Sequence, residues 1–276
     1  MSLNSVITNT GATIALQSLN SVNSQLQSVQ KQVSTGYKVA DATDNGAAYA
    51  VAQAVRSEIS SLGAANQQLG YAQGLVGTTL SAMNDVSNVM NSARDVLVAL
   101  ADGANSTTQT ANYQSQYSSL MKQIKDDLNS ATYNGRYVIS SANNTTTPHS
   151  INVVQDEAGD TFTLNSFDAY TQFTSISTLA TGAVTNATIS TFQGVQTCVN
   201  SALDTYGNAS NYINSQISFN NDKIDALNEG LGSLVDADLA KESALLQSLQ
   251  IQQQLGTQAL SIANQAPSAL LKLFGG

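Results

Sequence analysis

The chain is poor in charge and poor in the residues that do chemistry. Asp, Glu, Lys and Arg together make up 11% of its 276 residues, under half of the roughly one quarter usual for a globular domain. There is one histidine, His149, which excludes a metal site or proton relay built on two imidazoles. The one cysteine, Cys198, excludes an intramolecular disulfide. Tryptophan is absent, and the two prolines are Pro148 and Pro267. No apolar run approaches the roughly 18 residues of a membrane span, so no membrane insertion is expected. With ten basic residues, scattered, and a net charge of −9, the chain has no electrostatic footprint for nucleic acid. The opening "MSLNSVITNTGATIAL" has no basic start, no long apolar stretch and no small-residue cleavage site. A cleaved secretory signal is therefore not expected, leaving the cytoplasm or export by a machine that uses none.

What remains is helical pattern. Residues 1–30 and 243–271 contain no charged side chain. Ala12, Ala15, Leu19, Val22, Leu26, Val29 and Val33 step by three and four, a seam of about three heptads on an otherwise Ser, Asn and Gln helix. A C-terminal helix starts near Asp238, which can cap it, as can Asp236. Its Leu239, Leu245, Leu246, Leu249, Ile251, Leu255, Leu260 and Ile262 form a broader band, which Asn264–Pro267 is expected to interrupt. Residues 40–50, "ADATDNGAAYA", read as an irregular connector. From Val51 to Ala101 a single stripe runs through Leu62, Leu69, Val76, Met83, Met90 and Leu97. A helix of that length needs a long partner. Residues 189–231, with Val195, Val199, Ala202, Tyr206, Ala209 and Ile213, supply the pattern for one, and a shorter helix is expected over about 109–131.

Tyr133-Asn134-Gly135 reads as a turn, followed by the β-like runs "RYVIS", "SINVVQ" and "DTFTLN", the last two joined as a hairpin at Glu157-Ala158-Gly159. Residues 168–188 have no firm period and read as a short variable link. The expected fold is mainly α: an elongated antiparallel bundle of long helices with a terminal coiled coil and a small β-hairpin tip. Its expected parts are an inner domain of 1–38 plus 238–276, a helical core of 39–167 plus 190–237 with the hairpin at about 136–165, and a link at 168–189.

Catalytic constellations are missing. His149 is the only base for a Ser or Cys triad and follows "NNTTTP" in an expected surface turn. Cys198 lies beside Val199 on a helix without a neighbouring cation, which reads as a packed small residue. No glycine run has a phosphate-loop frame, and "DATDN" lacks the spacing and closing Glu of a calcium loop. Asp126, Asp127, Asp236 and Asp238 fall on helices or at their starts, where the helix dipole accounts for them. Neither catalysis nor a cofactor is expected. The Ser- and Thr-rich 140–191 region reads as solvated surface, with O-glycosylation the second reading.

The two ends resemble one family. "SLNSVITNTGATIALQSLNSVNSQLQSVQKQVSTGYKVADATDNGAAYAVAQAV" and "LNSATYNGRYVIS" look like the N-terminal region of bacterial flagellins, and "GLGSLVDADLAKESALLQSLQIQQQLGTQALSIANQAPSALLKLF" is similar to their closing helix. The resemblance covers about 1–165 and 190–274. It implies a self-assembling subunit of the filament that drives swimming, extracellular, in a minimal form whose 168–189 slot holds no large outer domain. It further implies terminal helices lining the filament channel. Isolated uncharged helices of this length are marginal in water, so these ends are expected to be disordered in the free monomer. Implied partners are other copies of the chain, an export chaperone, the type III export apparatus, the filament cap and the hook–filament junction proteins. The alternatives are a hook–filament junction protein or a minor flagellin homologue with a surface-binding role. One departure stands out. The family segment read by the innate Toll-like receptor aligns with "VMNSARDVLVAL". Arg94 and Asp95 match, whereas Asn91 and Ser92 stand where the family has Gln and Arg, so receptor activation is expected to be weak or absent.

Overall fold

The computed structural model describes residues 9–140 and 150–274, and of 266–274 the helical backbone alone. His149 and the "NNTTTP" run before it lie outside the described residues. In chain order the elements are α1 (Thr10–Thr35), α2 (Gly46–Leu100), α3 (Thr107–Ser130), β1 (Ile151–Val154), β2 (Thr161–Leu164), α4 (Ala169–Ser177), a 3-10 turn (Leu179–Thr181), α5 (Asn186–Val235) and α6 (Leu239–Phe274). The fold is mainly helical with one small antiparallel hairpin. It divides into two compact units, Met1–Ser57 with Ala226–Gly276, and Glu58–Asp225. The boundaries fall within α2 and α5.

The Glu58–Asp225 unit holds the large core. On α2, Leu62, Leu69, Val76, Met83, Met90 and Leu97 recur every seventh residue, and all are sealed from solvent. Ala65, Ala72, Thr79, Val86 and Ala93 fill the intervening seam positions. Thr79 is buried without strain on its hydroxyl, which donates to the Leu75 carbonyl at 2.8 Å. α5 answers with Phe192, Val195, Val199, Ala202, Tyr206, Ala209 and Ile213, and α3 with Tyr117, Met121, Ile124 and Leu128. Polar rungs flank the seam: Asn66 with Asn221, Gln73 with Asn214, Ser87 with Asn200 and Asn91 with Gln196. Rising numbers on α2 meet falling numbers on α5, so the two run antiparallel. The core tyrosines bury their rings and spend their hydroxyls on backbone: Tyr117 donates to the Ile176 carbonyl at 2.7 Å, Tyr206 to Val138 and Asn165 carbonyls at 3.1 Å. Burial raises the pKa of both phenols.

β1 and β2 pair in the register Ile151↔Leu164 and Val153↔Phe162, which puts four apolar side chains on one face. Gly159 turns the hairpin at φ +87°, and Asp156 accepts from the Ala158 and Asp160 amides. Asn134 and Gly135 both have positive φ and the flanking Tyr133 and Arg136 exchange backbone hydrogen bonds at 2.9 Å. This is the geometry of a two-residue primed turn, which demands Asn-Gly chemistry.

Four expectations are corrected. "RYVIS" forms no strand: Ile139 makes a single bridge to Phe167. The ladder stops there because the next residue, Asp168, turns the chain into α4 by accepting from the Thr171 amide at 3.2 Å. Residues 168–188 are not patternless, since they hold α4 and the 3-10 turn and bury Ala169, Ile176 and Ala180. Nine residues give too few turns for a period to register. α2 begins at Gly46, inside the expected connector, where Asn45 accepts from the Ala48 amide at 3.1 Å and three alanines then propagate the helix. Finally, α6 continues past Pro267 to Phe274.

Candidate assembly surface

The charge-free ends of the sequence meet in the Met1–Ser57 plus Ala226–Gly276 unit, where α1 and α6 pack along their length. Asn9 caps α1, its Oδ1 accepting from the Ala12 amide at 3.0 Å, and Gly36 closes it in the left-handed conformation at φ +75°. The pairing is antiparallel and has a defined register. A Cβ built on Gly11 would lie 4.0 Å from the Ala263 methyl, and one on Gly256 would lie 3.2 Å from Leu19 Cδ1. Gln253 donates to Asn23 Oδ1 at 2.7 Å. Leu26 and Val29 pack with Leu249, and Val22, Val33 and Leu246 close around them.

All seven expected seam positions of α1 face inward to some degree. Ala12, Ala15, Leu19, Val22 and Val33 are half-buried, and Leu26 and Val29 are buried. On α6, Leu249 is buried and Leu246 and Leu260 half-buried, whereas Leu239 and Leu255 are exposed. The α6 seam follows Glu242, Leu246, Leu249, Gln253, Gly256, Leu260 and Ala263, the positions whose exposure drops. Three of its members, Glu242, Gln253 and Gly256, are invisible to a search for apolar residues. The rest of the apolar band of α6 lies elsewhere. Ile251 is 58% exposed, Leu255 59% and Ile262 69%. Steps of four and seven set these three, with Ala244, on one stripe of the helix away from the seam. α1 adds exposed Ile14 and Leu16, and no ionised group stands near in sequence on either helix.

The charges resume where α1 ends. Lys31 contacts Asp41 at 2.6 Å and Asp44 at 2.8 Å. These hydrogen bonds raise the Lys31 pKa and hold both carboxyls below their ordinary range. Backbone contacts complete the junction: Tyr37 bridges Asp236, and the Lys38 amide donates to the Val235 carbonyl at 2.8 Å. Val39, Ala52 and Val235 are buried beneath it. Asp238 caps α6 by accepting from the Ala240 and Lys241 amides at 3.1 Å.

In the other unit, Asn91, Ser92, Arg94 and Asp95 are all exposed on α2, with Ala93, Val96 and Leu97 turned into the core. Asn91 is engaged through Oδ1 by Gln196 Nε2 at 2.7 Å. Cys198, expected to pack, is exposed; Val199, the next residue, takes the seam position. Burial, with the charges of Asp85 and Asp126, raises the pKa of Asp127, whose Oδ2 has no hydrogen-bond partner among the described residues. Sequence reasoning missed Phe192 and Asn220, both fully buried. The signal was present, because they extend the heptad Val199, Tyr206, Ile213 by seven residues at each end. Asn220 is paired at both ends: Nδ2 donates at 2.9 Å to Asn66 Oδ1 and to the Gln155 carbonyl, and Oδ1 accepts from Gln216. Lys223 lies beside it, 3.0 Å from Glu58 and paired also with Glu157. Among the described residues no group of three His, Cys, Asp or Glu side chains could hold a metal, and no helix is long and apolar enough to cross a membrane.

Two family models match the chain. The bacterial flagellin N-terminal helical region covers residues 6–144, and the C-terminal helical region covers 189–274. Flagellin FljK of Caulobacter vibrioides is 37% identical over 99% of this chain and all of its own length. The flagellin of Brucella melitensis is 33% identical over 99% of both chains. Among solved structures, a putative flagellar hook-associated protein from Vibrio parahaemolyticus aligns over 70% of this chain and all of its own with a TM-score of 0.60. At 13% identity that likeness is one of fold.

Proposed function

This chain belongs to the bacterial flagellin family and is a structural subunit of the flagellar filament, and from that premise we propose that the α1–α6 pair is its self-association element. The observation that carries the reading is the bare apolar stripe Ile251, Leu255 and Ile262 on a helix without charge from Ser243 to Leu271. A stripe of that kind gains free energy by leaving water. A neighbouring copy that covers it forfeits no hydration of ionised groups, the cost that makes buried charge expensive. The contact joins different faces of successive copies, so it propagates into a helical polymer rather than closing a ring. The intramolecular seam (Ala12, Ala15, Leu19, Val22, Leu26, Val29 and Val33 against Leu246, Leu249 and Leu260) presents the stripe, and Leu239 and Leu255 belong to the intermolecular face. Deletion of residues 1–33 should abolish seeded polymerisation while leaving a folded helical core. A truncated chain that still forms normal filaments would overturn the assignment.

The same stripe must be covered before assembly, which gives an export chaperone its binding surface on α6 and fits passage through the type III apparatus. The filament cap and hook–filament junction proteins would meet the same helices at the polymer ends. The family's role is structural, and the sequence offers a single histidine and a single cysteine from which a nucleophile and its base could be drawn. Receptor activation is weak in this reading because Ser92 presents one hydroxyl where the family presents a forked guanidinium. A reporter-cell assay showing full potency would refute that point.

A further inference from the structure

We infer that Asn9 is a positioning residue for the terminal pair, fastening the start of α1 to the one carbonyl of α6 that Pro267 leaves without a helical donor. In an α-helix each carbonyl accepts from the amide four residues on. For Ala263 that residue is Pro267, which has no N–H. The donor comes instead from the other helix: Asn9 Nδ2 lies 2.7 Å from the Ala263 oxygen. The same side chain uses its Oδ1 to cap α1 at the Ala12 amide, 3.0 Å away. One amide thus satisfies an orphan donor of α1 and an orphan acceptor of α6, and only one alignment of the two helices brings it to both.

The place where this happens is the place that needs it. In its first two turns α1 offers the seam only Ala12 and Ala15, and a methyl buries about a third of the area of a leucine side chain, worth ~0.8 kcal/mol or less. Further along, Leu19, Leu26 and Val29 hold the pair by burial. Apolar contacts discriminate poorly between alignments that differ by one heptad, whereas a hydrogen bond that must be made at one position fixes it. Gln253 on Asn23 is a second such rung, 2.7 Å long. A Cβ on Gly11 would meet Asn9 Oδ1 at 3.5 Å and the Ala263 methyl at 4.0 Å, ordinary van der Waals distances that place both groups at this rung.

The inference rests on the assembly reading only for its consequence. Amide hydrogen exchange is measured over residues 12–17 in the full-length chain assembled into filaments, for wild type, Asn9→Ser, Pro267→Ala and the double variant. Serine keeps the cap and loses the reach to Ala263. Asn9→Ser should speed exchange of residues 12–17 about tenfold, the effect of one half-buried acceptor left bare. In the Pro267→Ala background, where residue 267 regains its N–H, the same substitution should change exchange less than about twofold. Equal acceleration in both backgrounds, or none in either, overturns the inference. The assembly reading is tested separately, by whether deletion of residues 1–33 abolishes polymerisation, so failure of that reading and failure of the coupling between positions 9 and 267 are distinguishable.

Discussion

The same heptad spacing is written twice in this molecule and yields two degrees of burial. On α2, six residues at seven-residue intervals from Leu62 to Leu97 are all sealed. On α1, the stripe from Ala12 to Val33 buries only Leu26 and Val29, and its one wall of contact is α6. The stripes differ less in composition than in company. That of α2 is enclosed by α3, α5 and the hairpin, and α1 and α6 cover each other on one side and leave apolar groups on the other. A helix pair in this state is an incomplete core. The core of the Glu58–Asp225 unit is built from contacts within one chain, and in the proposed assembly the terminal unit is completed by contacts between chains.

That contrast breaks first at Phe192. Its ring is fully buried and meets Tyr117 edge-on at 6.5 Å between centroids. Phe192→Ala should lower the unfolding free energy of the monomer by about 3–5 kcal/mol, read from urea melts followed by circular dichroism. Leu249→Ala, a buried leucine in the terminal unit, should leave that transition where it is and impair polymerisation. Equal shifts of the monomer transition by both variants would mean the two units share one core.

Next in size is the outward stripe. Ile251→Ser with Leu255→Ser removes two exposed side chains that make no contribution to the seam. The monomer melt should not move, and the critical concentration for seeded polymerisation should rise about thirtyfold, from ~1 kcal/mol lost per side chain covered in the polymer. An unchanged critical concentration would place the intermolecular contact elsewhere.

A smaller effect is expected from the polar residue inside the larger core. Asn220→Ala leaves Asn66 Oδ1 without its donor and the Gln155 carbonyl with only Gln216 Nε2 at 3.4 Å, and should cost about 1–3 kcal/mol. Asn66→Ala, which takes one acceptor from the Asn220 amide and leaves its bond to the Gln155 carbonyl in place, should cost less. If Asn220→Ala proves neutral, the hairpin is held by Lys223 and by the Phe162–Tyr212 stack, 4.6 Å between centroids, rather than by this amide.

How far each unit could be read from sequence follows the same division. The long helices were legible because many turns repeat one pattern, and Leu62 through Leu97 need no structural knowledge to align. The two ends were legible as partners because both lack charge. What escaped has specific causes. Gln253 and Gly256 lie in the α6 seam as a polar rung and a hole for Leu19, and neither counts as apolar. Asn220 occupies a core position as an amide whose partners come from α2 and the hairpin loop, far away in sequence. α4 is too short for periodicity, and its buried Ile176 earns its place through Tyr117, whose hydroxyl meets the Ile176 carbonyl. The continuation of α6 through Pro267 could not be foreseen without the donor that Asn9 brings from the other helix. In each case local pattern gave way to a contact made by a distant residue.

The finest test of the contrast uses two carboxylates of the Glu58–Asp225 unit whose pKa values move in opposite directions. Hydrogen bonding to Lys223 lowers that of Glu157, so the folded chain holds its proton less firmly than the unfolded chain. Its stabilising contribution is present above the unfolded value of about 4.3 and is lost as pH falls through the folded one. Asp127 runs the other way. Burial raises its pKa, so the ionised carboxylate penalises the fold at neutral pH, and the penalty disappears as pH falls through the raised value to below about 3.9. Glu157→Gln should therefore destabilise slightly at pH 7, and Asp127→Asn should stabilise. Both differences from wild type should vanish in acid. Because both groups belong to the Glu58–Asp225 unit and not to the α1–α6 pair, neither variant should alter the critical concentration once the monomer is folded. A change at Asp127→Asn would show that its unpartnered oxygen faces a neighbouring subunit, and the larger unit too would then be incomplete in a single chain.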